Sequence, residues 1–488
     1  MRDVWTMRGT AAPPNVTRLA GPWLAVISTA LVAGLLAAGR ADTVLGAKAA
    51  LLVLGALVGC AFLVIFSFLG SAALLIWPIA ATAGYLLAIP RGHPVITFDR
   101  LWLGGLLAYI LLTPRVVPRT PATRFLIVAL LWLLIAFGVR SFATNAGFGE
   151  PVRTWLDAIV LPAILFVACE RYCLGGMKRG RNLACALMIA GGVLGAIGLA
   201  QRIFGFELAT LTGGSVRFDA AVDTTRVSGP YPAPEPYALS LIICLGATFF
   251  WILSRPRGKG YGWGLVLMSL QLTGIALALF RAGWIAAVLV AIASLGYRPG
   301  RFGRTFVVTI LAVAVGFAAT TQLQSSKTVA TRVNNTDNIW GRLATYEQGV
   351  QIFRRHPVFG IGVDRYHDVA MTLPPVVLRG VASVTYPHSS YIGTLAEQGL
   401  LGFVPLLVLT FAVWRLIGAL RVASFASREA LLLLGPVVGV VLGYLIMSLT
   451  LTMLPYEPSN AFFAALLGIA AGRVDGLTAE SRRRVATE

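Results

Sequence analysis

Apolar and charged positions separate along this chain into long blocks. Thirteen stretches of about 16 residues or more, and a shorter final one, are almost free of charge, and roughly that length crosses the 30 Å hydrocarbon layer of a bilayer. They fall at 22–38, 44–66, 71–89, 98–113, 125–142, 155–173, 183–204, 237–254, 263–280, 282–297, 305–321, 391–414, 431–451 and 460–472. A soluble core has room for one or two such blocks, not for this many. The pattern predicts an all-α fold, a polytopic membrane helical bundle of about 14 spans (12–14).

The segments between the blocks set the orientation. With the N-terminus inside, the cytoplasmic segments hold 23 Lys and Arg against 6 acids, and the opposite side holds 17 against 14. Seven of those 17 lie in one long loop, and long loops count little in the positive-inside rule. Clusters such as Arg115/Arg119/Arg124, Lys178/Arg179/Arg181 and Arg482/Arg483/Arg484 therefore predict that both termini are cytoplasmic. Arg2, Arg8 and Arg18 before 22–38 give the outline of a signal peptide, with Ala37-Ala38-Gly39 as a cleavage site. The apolar stretch exceeds a signal core and a second follows at once, which favours a retained anchor.

Two outer-face segments are more than connections. Residues 205–236 are rich in Gly, Pro and Asp, and 322–390 is too long for an idle link between helices. Within the second, Ile339, Leu343, Tyr346, Val350 and Phe353 repeat at helical spacing and predict an amphipathic helix lying on the membrane or on other helices. Asn335, Thr336 and Asp337 offer capping side chains before it, and His356-Pro357 ends it.

Composition changes this picture little. The chain is 57% apolar and 12% charged, with a net charge of +20. In a soluble protein that charge would suggest nucleic acid. Here the arginines fall between apolar blocks, so the expected partner is the lipid bilayer and not nucleic acid. Cys60, Cys169, Cys173, Cys185 and Cys244 form no CxxC pair and the four histidines are scattered, so no metal site and no cofactor are expected. The chain has neither an Asp-x-Asp motif nor a Gly-rich phosphate loop, which argues against a cytoplasmic nucleotide-sugar enzyme using a divalent metal.

Four basic positions share the outer face in this topology. Arg226 opens Arg226-Val-Ser-Gly-Pro-Tyr, just before a span; Arg281 separates two apolar blocks with scarcely a turn between them. Arg342 lies one residue off the stripe of the loop helix, and His388 stands where the long loop re-enters the membrane. A guanidinium near membrane depth is costly and is by default a functional candidate. Arg226, Arg342 and His388 taken singly read more simply as solvated or interfacial groups. Together they suit transfer from a diphosphate-linked lipid: Arg forks hold the pyrophosphate oxygens, and a neutral histidine takes a proton from an attacking hydroxyl.

These residues carry a family resemblance. Phe280-Arg281-Ala-Gly-Trp284 is similar to a Ser-Arg-Gly-x-Trp motif. Arg342-Leu-x-x-Tyr precedes His356-Pro-Val-Phe-Gly360-Ile-Gly362. His388-Ser-Ser-Tyr-Ile-x-x-Leu-Ala-Glu397-Gln-Gly399-Leu-Leu-Gly402 is similar to a His-Asn-x-Tyr-Leu-x-x-Leu-x-Glu-x-Gly-x-x-Gly motif. With the Arg226 segment, in this order, the chain resembles the O-antigen ligase and polymerase superfamily over roughly 200–410. The resemblance implies an inverting, metal-independent GT-C type glycosyltransferase of the bacterial plasma (inner) membrane. It would move a glycan from polyprenyl pyrophosphate, typically undecaprenyl pyrophosphate, to a glycan or lipid acceptor in cell-envelope polysaccharide biosynthesis. It also implies that His388 and Arg281 are catalytic, that Arg226, Arg281 and Arg342 bind pyrophosphate, and that Glu235, Tyr391 and Glu397 are accessory. Glu235 and Ser389 replace asparagines usual in the family. The chain then divides into N-terminal spans (1–204), a ligase-like core (205–414) and C-terminal spans with a basic tail (415–488). The alternative is a transporter of anionic solutes or lipid-linked sugars using the same arginines; no internal repeat of the transporter kind is visible.

Overall fold

The computed structural model describes residues 71–84, 88–89, 96–112, 115, 117–144, 149–205, 226–255, 261–296 and 337–487. The expected spans 22–38, 44–66 and 305–321 lie outside them, as does most of loop 205–236. The described chain is helical nearly throughout: α1 (Ala72–Ala81), α2 (Phe98–Leu112), α3 (Pro121–Thr144), α4 (Glu150–Cys173), α5 (Met177–Phe204), α6 (Pro234–Ser254), α7 (Tyr261–Leu277), α8 (Arg281–Gly296), α9 (Asp337–Arg355), α10 (Tyr366–Thr372), α11 (Ser390–Ala426), α12 (Arg428–Thr450) and α13 (Glu457–Thr487). Seven of these, α3 to α6 and α11 to α13, are long and apolar enough to cross a membrane. The protein is an all-α, multi-pass membrane protein.

The elements follow local chemistry. Helix α6 starts with Pro234, whose missing N–H costs nothing in a first turn, and Glu235 beside it suits the positive helix end. Helix α5 ends on Gly205 at φ 69, a left-handed cap that a side chain would strain. One expectation needs correction. The block 71–89 is not one continuous helix: α1 stops at Ala81, where the Thr82 hydroxyl takes the Ile79 carbonyl at 2.6 Å, and Ala88–Ile89 (β1) pairs antiparallel with Ile96–Thr97 (β2). The short block 460–472 lies inside the 31-residue α13, because helix outlasts the apolar run.

Close helix packing rests on glycines spaced by four. Gly435, Gly439 and Gly443 of α12 face α8, where a Cβ on Gly439 would stand 2.6 Å from the Val290 Cα and one on Gly443 2.9 Å from the Ala286 Cβ. Gly468 and Gly472 of α13 meet α4 at Cys169, Glu170 and Cys173 in the same way. Such stripes let backbones approach where lipid provides no hydrophobic drive for helix pairing.

One face of the bundle carries the long loop. Helix α9 and the Val377–Leu378/Val381–Ala382 hairpin (β3–β4) pack together, with the Thr345 hydroxyl accepting the Val384 N–H at 3.0 Å. The face that α9 turns to the rest of the protein is not its apolar stripe. Gly341, Ala344, Thr345, Gln348, Gly349 and Ile352 turn inward, while Ile339 and Leu343 of the apolar stripe are 51% and 41% exposed. Gly349 explains this: its backbone lies so close to Ile392 of α11 that any side chain would strike it.

Candidate functional site

The site forms where α7 breaks into α8. After Leu277 the chain turns through Ala278, Leu279 and Phe280, with Leu279 at φ 48, and restarts at Arg281. A break leaves carbonyls without helical partners, and each needs a donor. The Arg226 segment supplies two. Val227 N–H donates to the Leu277 carbonyl at 3.3 Å, and Arg226 Nε to the Ala278 carbonyl at 3.2 Å. The Trp284 indole donates to the Ile275 carbonyl at 3.2 Å and ties the first turn of α8 to the last of α7. The Phe-Arg-Ala-Gly-Trp motif and the Arg226 segment are therefore one built unit.

Arg226 also pairs with Glu235 at 2.8 Å, so the acid that replaces the usual asparagine is the countercharge of that arginine. Arg281, the first residue of α8, has no hydrogen bond or ion pair among the described residues. Arg342 reaches the same place from α9. Burial lowers its pKa first; Tyr346 and Glu235 oppose that, and the like charges of Arg226 and Arg281 add to it. Among the described residues, Arg226 and Arg342 thus meet at one carboxylate, with Arg281 close enough to repel Arg342.

His388 stands beside them. Its pKa falls from 6.5 to about 4 because it is buried and because Arg342 repels a second cation, partly offset by Glu235. The imidazole is neutral at pH 7. Its backbone is fixed from α9 and α12. The Tyr346 hydroxyl lies 2.9 Å from the His388 carbonyl and 2.5 Å from that of Leu449, and its single proton serves one at a time. The Thr452 hydroxyl donates to the Pro387 carbonyl, and Ser390 N–H to the Leu451 carbonyl at 3.1 Å. Ser389 caps α11, accepting Ile392 N–H at 3.5 Å, which is the service an asparagine would give there.

The remaining two expected residues lie elsewhere. Tyr391 lines an apolar cavity of about 130 Å³ with Leu133, Ala158, Leu406 and Tyr444. Glu397 belongs to a clamp. Helix α11 breaks at Gly399 (φ 60, ψ −155), and the turn 356–366 satisfies the break. Leu400 and Leu401 N–H donate to the Pro357 and Val358 carbonyls at 2.9 and 3.1 Å, while Ile361 and Gly362 N–H donate to those of Ala396 and Glu397 at 3.1 and 2.8 Å. The Glu397 carboxylate accepts Tyr366 N–H at 3.2 Å. The Gly-Ile-Gly of one motif and the Glu-x-Gly of the next are two halves of one joint. That joint went unread in the sequence, although paired Gly-x-Gly and Glu-x-Gly signals were available. No group of three or more His, Cys, Asp or Glu able to hold a metal occurs among the described residues.

Residues 263–408 match the O-antigen ligase family. This part of the chain is similar to that family. It contains Arg281, Arg342 and His388 and leaves Arg226 and Glu235 outside its N-terminal boundary. No curated protein matches the chain. The matched segment thus includes the helix break, α9, the clamp and the first half of α11, while α6, α12 and α13 pack around it.

Proposed function

We propose that this protein is a glycosyltransferase that moves a glycan from a polyprenyl pyrophosphate to a hydroxyl acceptor on the outer face of the membrane. The observation that carries this is the meeting of Arg226 and Arg342 at Glu235, with Arg281 close enough to act on Arg342 and His388 neutral beside them. Positive charge in excess among the described residues suits a diphosphate, and bidentate Arg contacts hold its oxygens best where leaving-group charge grows.

The acceptor hydroxyl gives its proton to the His388 imidazole as its oxygen bonds to the anomeric carbon. The bond from that carbon to the pyrophosphate oxygen breaks, and its electron pair leaves with the polyprenyl pyrophosphate. The guanidinium groups receive that charge, which makes the reaction metal-independent, and a single displacement inverts the anomeric centre. Diphosphate bound beside Arg342 offsets the repulsion that depresses His388, so the donor itself raises the basicity of the base. Reconstitution with a polyprenyl-pyrophosphate oligosaccharide tests this. Release of lipid pyrophosphate with a lengthened or conjugated acceptor is expected. Movement of the intact donor across the bilayer without bond cleavage would make the protein a transporter.

A further inference from the structure

The face opposite the arginine–histidine cluster holds a second concentration of charge. Arg115, Arg119 and Arg124, with Val117 and Pro118, line an open pocket of about 470 Å³ at the start of α3. Two fully buried carboxylates lie beneath it, Glu170 from α4 and Asp475 from α13. Both are saturated. One Asp475 oxygen accepts Thr120 N–H at 2.9 Å and the Thr120 and Thr123 hydroxyls at 2.8 and 2.9 Å, and the other takes Arg115 at 2.7 Å. Glu170 gives one oxygen to Arg115 and the other to Arg119, at 3.5 Å.

The cations exceed these acids. Burial first lowers the Arg115 and Arg119 pKa values; Asp475 opposes it at both, and like charges add to it, Arg171 and Arg124 at Arg115 and Arg115 and Arg171 at Arg119. Among the described residues, the three arginines of the pocket so face two carboxylates. Arg119 Nε is buried without a partner, and Arg124 has no ion pair or side-chain hydrogen bond among the described residues.

What lies below the pocket identifies the ligand. Arg124 is exposed at the head of a helical stripe formed by Val128, Leu131, Trp132, Ile135 and Val139, all exposed on α3. The 3- and 4-residue spacing puts them on one face of a helix apolar enough to span, so that face meets lipid. We infer that the Arg115/Arg119/Arg124 pocket binds the phosphate headgroup of an anionic phospholipid whose acyl chains lie along the α3 stripe. A free phosphate would use the guanidinium groups and leave the stripe without a role.

The test uses the full chain, purified and stripped of lipid, with bound lipid counted by native mass spectrometry. Phosphatidylglycerol should be retained over phosphatidylcholine. Arg119→Gln with Arg124→Gln should weaken phosphatidylglycerol binding about 30-fold, from roughly fivefold per basic residue near a membrane surface. Arg119→Lys with Arg124→Lys keeps the charges and should hold binding within a few-fold. Equal retention of the two lipids, an unchanged glutamine pair, or equal loss in the lysine pair would overturn the inference. Full displacement of phosphatidylglycerol by millimolar inorganic phosphate would assign the pocket to free phosphate instead. None of these outcomes depends on the transferase reaction.

Discussion

The depressed basicity of His388 has a measurable consequence for pH. Moving from 6.5 to about 4 makes protonation of the folded side chain about 3 kcal/mol harder than in water, at 1.36 kcal/mol per pKa step. An ordinary histidine is only about one-tenth neutral at pH 5.5, whereas one titrating near 4 is almost wholly neutral there. If His388 is the base, kcat/KM, which reports the free enzyme, should hold its neutral-pH value at pH 5.5 and fall only near pH 4. The limb in kcat, which reports the donor complex, should lie higher, because diphosphate offsets Arg342. The same difference acts on stability. Above pH 6.5 both folded and unfolded states keep this side chain neutral and it contributes nothing. Between 6.5 and about 4 the unfolded chain binds the proton and the folded one does not, so stability falls with pH across that window. The assay is release of polyprenyl pyrophosphate between about pH 4 and 8, with substrate varied at each pH. A kcat/KM limb near 6.5, or a kcat limb below that of kcat/KM, would refute the reasoning.

Substitutions separate the roles further. His388→Ala should lower turnover about 10²- to 10⁴-fold while donor affinity, measured by titration with the lipid-linked donor, stays nearly unchanged. Arg281→Ala should weaken donor binding and turnover together in that assay, since it removes a cation that has no side-chain partner among the described residues. Gly399→Ala should destabilise the clamp by about 1–3 kcal/mol, because φ 60 with ψ −155 suits only glycine and a Cβ would lie 2.5 Å from the Val358 carbonyl. A lower melting temperature and faster proteolysis within 356–366 would report it.

Hydropathy made the spanning helices legible, because a bilayer imposes one length and one polarity on them: 125–142 sits within Pro121–Thr144 and 237–254 within Pro234–Ser254. The loop helix was legible from its period, Asp337–Arg355 against a stripe from Ile339 to Phe353. Its buried face was not. Gly349 has to let α11 approach, and contact with a neighbouring backbone is decided by size, which hydropathy does not measure. Arg281 was visible because charge interrupts an apolar run. The Arg226–Glu235 pair and the clamp at Glu397 depend on which carbonyls a break leaves open, and that appears only once the chain is folded. Tyr391 shows the converse: His388 precedes the cap of α11 while Tyr391 lies in its first turn, and that turn aims Tyr391 into the apolar cavity.

The glycine stripe of α12 limits how this protein can be stabilised. In an exposed helix, replacing glycine with alanine gains about 1 kcal/mol, and it is a common first choice for hardening a protein. At Gly435, Gly439 and Gly443 the same exchange would drive methyl groups into the backbone of α8 or the side chain of Ala286. Helix α8 begins at Arg281, so a wedge placed there would tilt the helix that presents this guanidinium. Libraries built to raise thermal stability should therefore leave these three positions alone and alter α12 on its other sides. Variants that do change them are expected to surface as losses of donor affinity even where the fold survives.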